Sequence, residues 1–332
     1  MMNKRFGVIG VGTWGQNHTY VYSHHPGAML AAVCDKNEER AQAIADQYGA
    51  TKVYTDYADL LADPDIDAVS IATPDFVHRE IAVSAAQAGK DMLLEKPLAT
   101  TVEDAAAIAK AVNDAGVRFM LDFHNHWNPN FYQAKTSIEE GEIGEPHLIY
   151  GRLNDTIFVP TEMLSWADQS AIIWFTGSHL IDLACWLADS AVVKVYCVAR
   201  SKVLKGMGID TPDFYETVLE FANGGVAVLE SCWTLPNSQP VVIDFNMEVI
   251  GTDGAMHIDC SHHQSLRKYT DTVSYPDVFV TYPLHDEIKG LGVASIHHFA
   301  DCVINDKTPI IGLKEGLANT RIICAALESA ET

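Results

Sequence analysis

Two rhythms of apolar and polar positions run along the chain. In roughly the first 120 residues, short apolar runs alternate with stretches whose apolar side chains recur at helical spacing. A parallel sheet wrapped by helices requires that order. Residues 5–9 and 29–34 are the first two strand-like runs. Asn37 is placed to cap a helix with Ala41, Ile44, Ala45 and Tyr48 on one face, and Gly49 closes it. Residues 67–72 predict a buried strand, residues 75–88 a helix stopped by Gly89, and residues 92–94 another strand. Thr101, with Asp104 three residues on, opens a helix that runs to Gly116, and residues 117–121 close the sheet.

The second rhythm begins after a helix predicted from Pro129 to about Glu140 and ended by Gly141. Residues 215–221 and 226–233 flank Asn223-Gly224-Gly225, and residues 241–250 and 255–260 flank Gly251-Thr252-Asp253-Gly254. Alternating runs on either side of such turns predict two hairpins, hence a large, mainly antiparallel sheet. Helices are expected again near residues 172–187 and 294–305 and after Leu313. The pattern divides the chain into an α/β domain over residues 1–123 and an α+β domain over residues 124–332.

The first two strands enclose the clearest chemistry. Gly10-Val11-Gly12-Thr13-Trp14-Gly15 lies between them, and Asp35 ends the second. Strand, glycine-rich turn, helix, strand and acid form the layout that holds a dinucleotide's pyrophosphate at a helix N-terminus. Gly10 permits the tight turn, Gly12 lets backbone amides reach the pyrophosphate, and Gly15 lets helix and strand pack closely. Asp35 is placed to accept hydrogen bonds from a ribose diol. It favours NAD, because a carboxylate repels the 2′-phosphate of NADP. Lys36 and Arg40 nearby could pair with that phosphate, so NADP stays an alternative.

Bulk properties narrow the partners. Net charge is −22 in 332 residues. That argues against binding a nucleic-acid backbone, which needs a basic face. No apolar run reaches bilayer length, and no signal-peptide layout precedes the first strand. Seven cysteines without a CxxC motif read as reduced thiols, so a cytoplasmic protein is expected. Cys260, His262 and His263, and the pairs His24-His25 and His297-His298, lack zinc-site spacing, and no metal is expected.

Glu95-Lys96-Pro97 follows the strand at residues 92–94, at the end of the sheet where open α/β folds place ligands. The chain also carries Thr73-Pro74 with His78, Gly177-Ser178-His179-Leu180-Ile181-Asp182, and the set Ser295, His298, Phe299 and Pro309. With these motifs it resembles the Gfo/Idh/MocA oxidoreductases over nearly its whole length. The resemblance implies a Rossmann dinucleotide-binding domain and a C-terminal domain for substrate binding and oligomerisation. It implies hydride transfer between nicotinamide and a sugar, inositol or related polyol. By the same resemblance Lys96 lies between nicotinamide and substrate and donates or accepts the proton, and Pro97 often follows a cis bond. Glu95 is implied near the nicotinamide ribose, with Thr73, Pro74 and His78 lining the cofactor cleft. The cofactor set is then Gly10, Gly12, Thr13, Trp14, Gly15, Asp35, Lys36, Arg40, Thr73, Pro74, His78, Glu95 and Lys96.

One position departs from the family pattern. An aspartate usually stands four residues before the histidine of the GxH motif and orients it; here Phe175 occupies that position, after Trp174. His179 is still expected to hold a substrate hydroxyl, and Asp182, three residues on, is the acid that could act with it. Trp174 could wall a sugar ring. His126 and Asn128 stand at the expected cleft mouth and either touch substrate or pack a loop. Arg152, Asp155 and Trp166 either bind polyol or satisfy a buried loop. Two other functions fit such a scaffold: an NAD-dependent glycosidase working by transient oxidation, and a non-catalytic cofactor sensor. A homodimer or homotetramer is expected.

Overall fold

The computed structural model describes residues 3–261 and 266–332. They form two compact units, residues 1–124 with 283–320 and residues 125–282 with 321–332.

The first unit is a doubly wound parallel sheet. Its elements are β1 (Lys4–Ile9), α1 (Gly15–His24), β2 (Ala28–Cys34), α2 (Glu38–Tyr48), β3 (Lys52–Tyr54), α3 (Tyr57–Ala62), β4 (Ala68–Ile71), α4 (His78–Gln87), β5 (Asp91–Glu95), α5 (Val102–Ala115) and β6 (Phe119–Asp122). The strand order is β3-β2-β1-β4-β5-β6, every pair parallel. The order reverses between β1 and β4, which opens a crevice at the carboxyl ends of those strands. Helix ends follow the expected chemistry. The Asn37 side chain accepts from Arg40 N, and Thr101 Oγ1 accepts from Asp104 N, each cap contributing about 1 kcal/mol. Gly49 and Gly116 end their helices at φ 75° and 65°. The predicted helix at 75–88 begins with one tight turn, Asp75–Val77, before α4. In the core Phe6 stacks on Tyr22 at 4.3 Å and meets the edge of Phe299, which comes from the helix Leu291–Ile304.

The second unit is a sheet covered on one face. It contains α6 (Pro129–Glu139), β7 (Pro146–Asp155), α7 (Ser178–Ala188), β8 (Val192–Arg200), the short α8 (Val203–Gly206), β9 (Phe214–Phe221), β10 (Val226–Cys232), β11 (Ile243–Gly251) and β12 (Ala255–Asp259). The order is β12-β11-β7-β10-β9-β8. The two predicted hairpins are β9–β10 and β11–β12, and all pairs are antiparallel except β7 with β10. Burial alternates along β9 and β10, as a sheet with one dry face requires. Leu180, Leu183, Ala184 and Leu187 of α7 join Ile149, Leu229, Met247 and Trp233 of the sheet in one core. Each leucine buried there contributes roughly 1.5–3 kcal/mol. The helix approaches β7 at Gly151, where a Cβ would meet side-chain atoms of Leu229, Met247 and Leu180 at 3.0–3.3 Å. Among the described residues, no helix is long and apolar enough to cross a membrane.

Candidate functional site

The glycine-rich turn leaves β1 with Gly10 at φ 86°, its N–H donating to Cys34 O at 2.8 Å. A Cβ on Gly10 would lie 2.5 Å from Ala72 O, and one on Gly15 only 1.9 Å from Gly10 O. These two glycines are fixed by the protein's own packing. Gly12 differs: a Cβ there would meet nothing within 4 Å. Its lack of a side chain leaves space over the backbone beside the N-terminus of α1, with Thr13 exposed and Trp14 half-buried. An approach for a pyrophosphate needs that opening, so these residues fit a dinucleotide.

Asp35 ends β2 nearly buried and is fully engaged. Its carboxylate accepts from Val11 N at 3.1 Å, Asn37 N at 2.9 Å, and Arg40 through Nε at 3.1 Å and a terminal nitrogen at 2.8 Å. The guanidinium is half exposed, whereas Lys36 is exposed. The acid therefore stands just after β2 with a cation already bound to it.

Along the same end of the sheet, Thr73 and Pro74 follow β4 half-buried. His78 lies beneath them rather than at a surface. Its Nδ1 is 2.8 Å from Pro97 O and its Nε2 3.1 Å from Thr73 O, so the ring ties the loop after β4 to the loop after β5. Burial lowers the affinity of this ring for a second proton. Lys96 is half-buried and its bond to Pro97 is cis.

Glu95 turns inward, away from solvent. Its register partner across β5–β6 is Asp122, and both side chains are buried. His18, one turn into α1, places Nε2 3.0 Å from Glu95 Oε1 and Nδ1 2.9 Å from Ser70 Oγ, which is 2.6 Å from the Tyr22 hydroxyl. Burial pushes Glu95 up to about 7 and His18 down to about 4, and it holds the Asp122 carboxyl well above the usual range. Charge repulsion from Glu95 adds to the effect on Asp122. Donor atoms of His18, Glu95 and Asp122 lie within 4.8 Å of one another, which a metal ion could bridge. The sequence reading missed His18, Ser70, Tyr22 and Asp122. Two acids at the ends of adjacent strands, with a histidine three residues after Gly15, were the available signal.

In the second unit, α7 presents His179 and Asp182 one turn apart, both buried. Asp182 Oδ2 lies 2.9 Å from His126 Nε2, and the His126 ring stacks on Trp186 at 4.0 Å. Asn128 caps α6, its Oδ1 accepting from Asn130 N at 3.0 Å and its Nδ2 donating to Cys260 Sγ. Trp174 is part of the hydrophobic core, and Phe175 packs against that core with its ring edge-on to Trp166 at 6.4 Å. Asp155 is buried, whereas Arg152, an odd number of residues earlier on β7, faces the other side of the sheet and binds Asp244 at 2.8 Å. Arg152 is thus not brought together with Asp155. His262 and His263 lie outside the described residues.

A six-stranded parallel sheet with a glycine turn open at Gly12 and an acid after β2 defines a dinucleotide-binding protein. Residues 4–123 match the family described as an oxidoreductase family with an NAD-binding Rossmann fold, and residues 131–257 match the GFO/IDH/MocA C-terminal domain. The chain belongs to the Gfo/Idh/MocA oxidoreductases and is an NAD-dependent dehydrogenase. It is 30% identical to the scyllo-inositol 2-dehydrogenase (NAD(+)) of Bacillus subtilis (strain 168), over 98% of this chain and 93% of that protein. It is 31% identical to the levoglucosan dehydrogenase of Pseudarthrobacter phenanthrenivorans, over 80% of this chain and 76% of that one. In fold it is similar to the scyllo-inositol dehydrogenase of Lactobacillus casei solved with NAD(H) and scyllo-inositol. That likeness has a TM-score of 0.83 and 20% identity, over 99% of this chain and 97% of the other.

Proposed function

We propose that this protein oxidises a secondary alcohol carbon of a sugar, inositol or related polyol, or reduces the matching ketone, with Lys96 exchanging the hydroxyl proton. The observation that carries this reading is Lys96 itself. It is a half-buried amine at the carboxyl end of β5, on the sheet edge that bears the glycine-rich turn. The inositol and levoglucosan dehydrogenases among its relatives support the substrate class. When bound, NAD supplies the hydride acceptor. Gly10, Gly12, Thr13, Trp14 and Gly15 would hold its pyrophosphate, Asp35 its adenosine ribose, and Thr73 and Pro74 its flank. Lys36 and Arg40 would face any 2′-phosphate.

In the oxidative direction the uncharged Lys96 amine takes the hydroxyl proton and becomes an ammonium. General-base transfer of this kind contributes roughly 10²- to 10⁴-fold in rate. To the second unit we assign substrate binding, through His179 and Asp182 with His126, Asp155 and Trp166; Trp174, predicted from the sequence as a wall for a sugar ring, lies in the core instead. We assign Asn128, the helix cap, a supporting part beside His126, and leave Arg152, which faces the other side of the sheet, outside that site. The exposed side of the second-unit sheet, with Tyr150 and Tyr196 on it, supports a homodimer or homotetramer. Seven free cysteines support a cytoplasmic setting.

The test is a panel of sugars and inositols with NAD, followed by absorbance of the reduced nicotinamide. The expected result is NADH formation with at least one polyol. The Lys96→Ala variant should lose turnover while its affinity for NADH stays within a few-fold. Wild-type-like turnover in that variant would overturn the assignment of Lys96. Cleavage of an aryl glycoside without net NADH would favour the glycosidase instead.

A further inference from the structure

A buried group next to Lys96 takes no part in the reaction proposed above. Glu95 and Asp122 stand side by side at the ends of β5 and β6. Asp122 is fully buried, and the side chains within its reach are Glu95 and the Ser295 hydroxyl. An ionised carboxylate so placed is very unfavourable, and two adjacent carboxylates cannot both ionise. The groups facing the pair are Trp14, His18 and Tyr22 from α1 and the turn before it, and Ser70 from β4. Ser295 faces it from the helix Leu291–Ile304, and Lys96 from the loop after β5. Burial, with the neighbouring charge of Lys96, pushes His124, after β6, down to about 3.

The hydrogen bonds around Glu95 can be assigned in one consistent direction. With His18 neutral and its hydrogen on Nε2, Tyr22 donates to Ser70, Ser70 to His18 Nδ1, and His18 to Glu95. This sequence uses each hydrogen once and leaves Glu95 as the terminal acceptor, the place for a negative charge. Asp122 is then the partner that keeps the proton.

We propose that Asp122 is a positioning residue whose retained proton keeps the pair's single negative charge on Glu95, and that this charge sets the proton affinity of the neighbouring Lys96 amine. One proton is held by two carboxyls. Glu95 carries the charge, and that charge favours the ammonium form of Lys96. The effect on Lys96 rests on the function proposed above, whereas the retained proton does not. A divalent cation bridging His18, Glu95 and Asp122 is the competing occupant. The 3.0 Å separation of His18 Nε2 from Glu95 is that of a hydrogen bond, which already contains a hydrogen.

Two measurements test the proposal. The first is infrared spectroscopy of the protein without added cofactor at about pH 8.5, above the point where Glu95 gives up its proton. A carbonyl band of a protonated carboxylic acid is expected in the wild type, shifting in D₂O, and is expected to be missing in Asp122→Asn. Absence of the band from the wild type, its persistence in Asp122→Asn, or one equivalent of divalent metal in the purified protein would overturn the retained proton. The second is the pH dependence of polyol oxidation. Glu95→Gln removes the charge, and Asp122→Leu removes the donor that holds it on Glu95. Each should move the acidic limb to lower pH by about one unit, while Asp122→Asn, which still donates, returns the limb toward its wild-type position. An unmoved limb in Glu95→Gln would overturn the link to Lys96 and leave the proton on Asp122 standing. Turnover by Lys96→Ala would instead refute the proposed function alone.

Discussion

The carboxylate of Asp182 meets the imidazole of His126 at 2.9 Å, and both side chains are buried. The position four residues before His179 carries Phe175, so the acid usual there is missing. The structure instead has a histidine–carboxylate pair built from the start of α6's approach and the first turns of α7. Trp186, one helical turn beyond Asp182, supports the ring from below. Such a carboxylate fixes which ring nitrogen carries the hydrogen. Asp182→Asn and His126→Gln are each expected to lower kcat/KM roughly tenfold or more by misplacing the other. Because the two act as a unit, the double variant should lose no more than the worse single variant. Steady-state kinetics of the three variants checks this; losses that multiply would show independent roles.

Arg40 and Asp35 stand paired just after β2, the place where a cofactor preference would be set. The guanidinium holds both carboxylate oxygens, yet half of it is exposed and can turn outward. A 2′-phosphate would compete for it as a bidentate partner, whereas a ribose diol needs only the carboxylate. Arg40→Ala is therefore expected to weaken NADPH binding by about tenfold or more while changing NADH binding only a few-fold. The measurement is fluorescence titration with each nucleotide at one ionic strength. Equal losses for both nucleotides would mean that Arg40 only braces Asp35.

Much of this arrangement was legible before any coordinates. The glycine turn, the Asn37 and Thr101 caps and both hairpins follow from local rules, in which one residue type answers one backbone need. The parallel pairing of β7 with β10 did not follow, because it joins segments some 80 residues apart and leaves no local mark. β3 was missed because a three-residue strand is too short to show a period. Within the site, Lys96 and His179 stood in motifs, but the inward turn of Glu95 depended on His18 and Asp122, which reach it only through the sheet. The pairing of His126 with Asp182 spans 56 residues and is likewise a tertiary fact.

Asp122 makes stability depend on pH in a defined direction. Unfolded, its carboxyl ionises in the ordinary carboxylate range; folded, burial and the neighbouring Glu95 hold that step well above it. Between those points the native state binds a proton that the unfolded chain has released, so this group's contribution to stability falls as pH rises. Asparagine has no proton to lose. His18, pushed the other way by burial, destabilises the fold as pH falls toward about 4, in variant and wild type alike. The melting temperature of Asp122→Asn relative to wild type should therefore climb by roughly a few degrees between about pH 5 and about pH 9. A thermal melt series checks it, and a difference that stays flat would mean that Asp122 ionises normally in the fold.

Gly12 and Gly15 belong to one motif but answer to different masters, and alanine separates them. At Gly15 an added Cβ would sit 1.9 Å from the Gly10 carbonyl, so β1's turn or α1 must shift. Overpacking of backbone against backbone costs about 1–3 kcal/mol or more. Gly15→Ala should therefore melt several degrees early even without nucleotide. At Gly12 the new methyl meets no protein atom, so the melting temperature without cofactor should stay near wild type. The methyl would instead occupy the space from which backbone amides reach a pyrophosphate, and NADH affinity should drop by about tenfold or more. Thermal melts without cofactor, paired with NADH titration, resolve the two effects. If Gly12→Ala bound NADH as tightly as wild type, the open space over Gly12 would not be where the pyrophosphate lies.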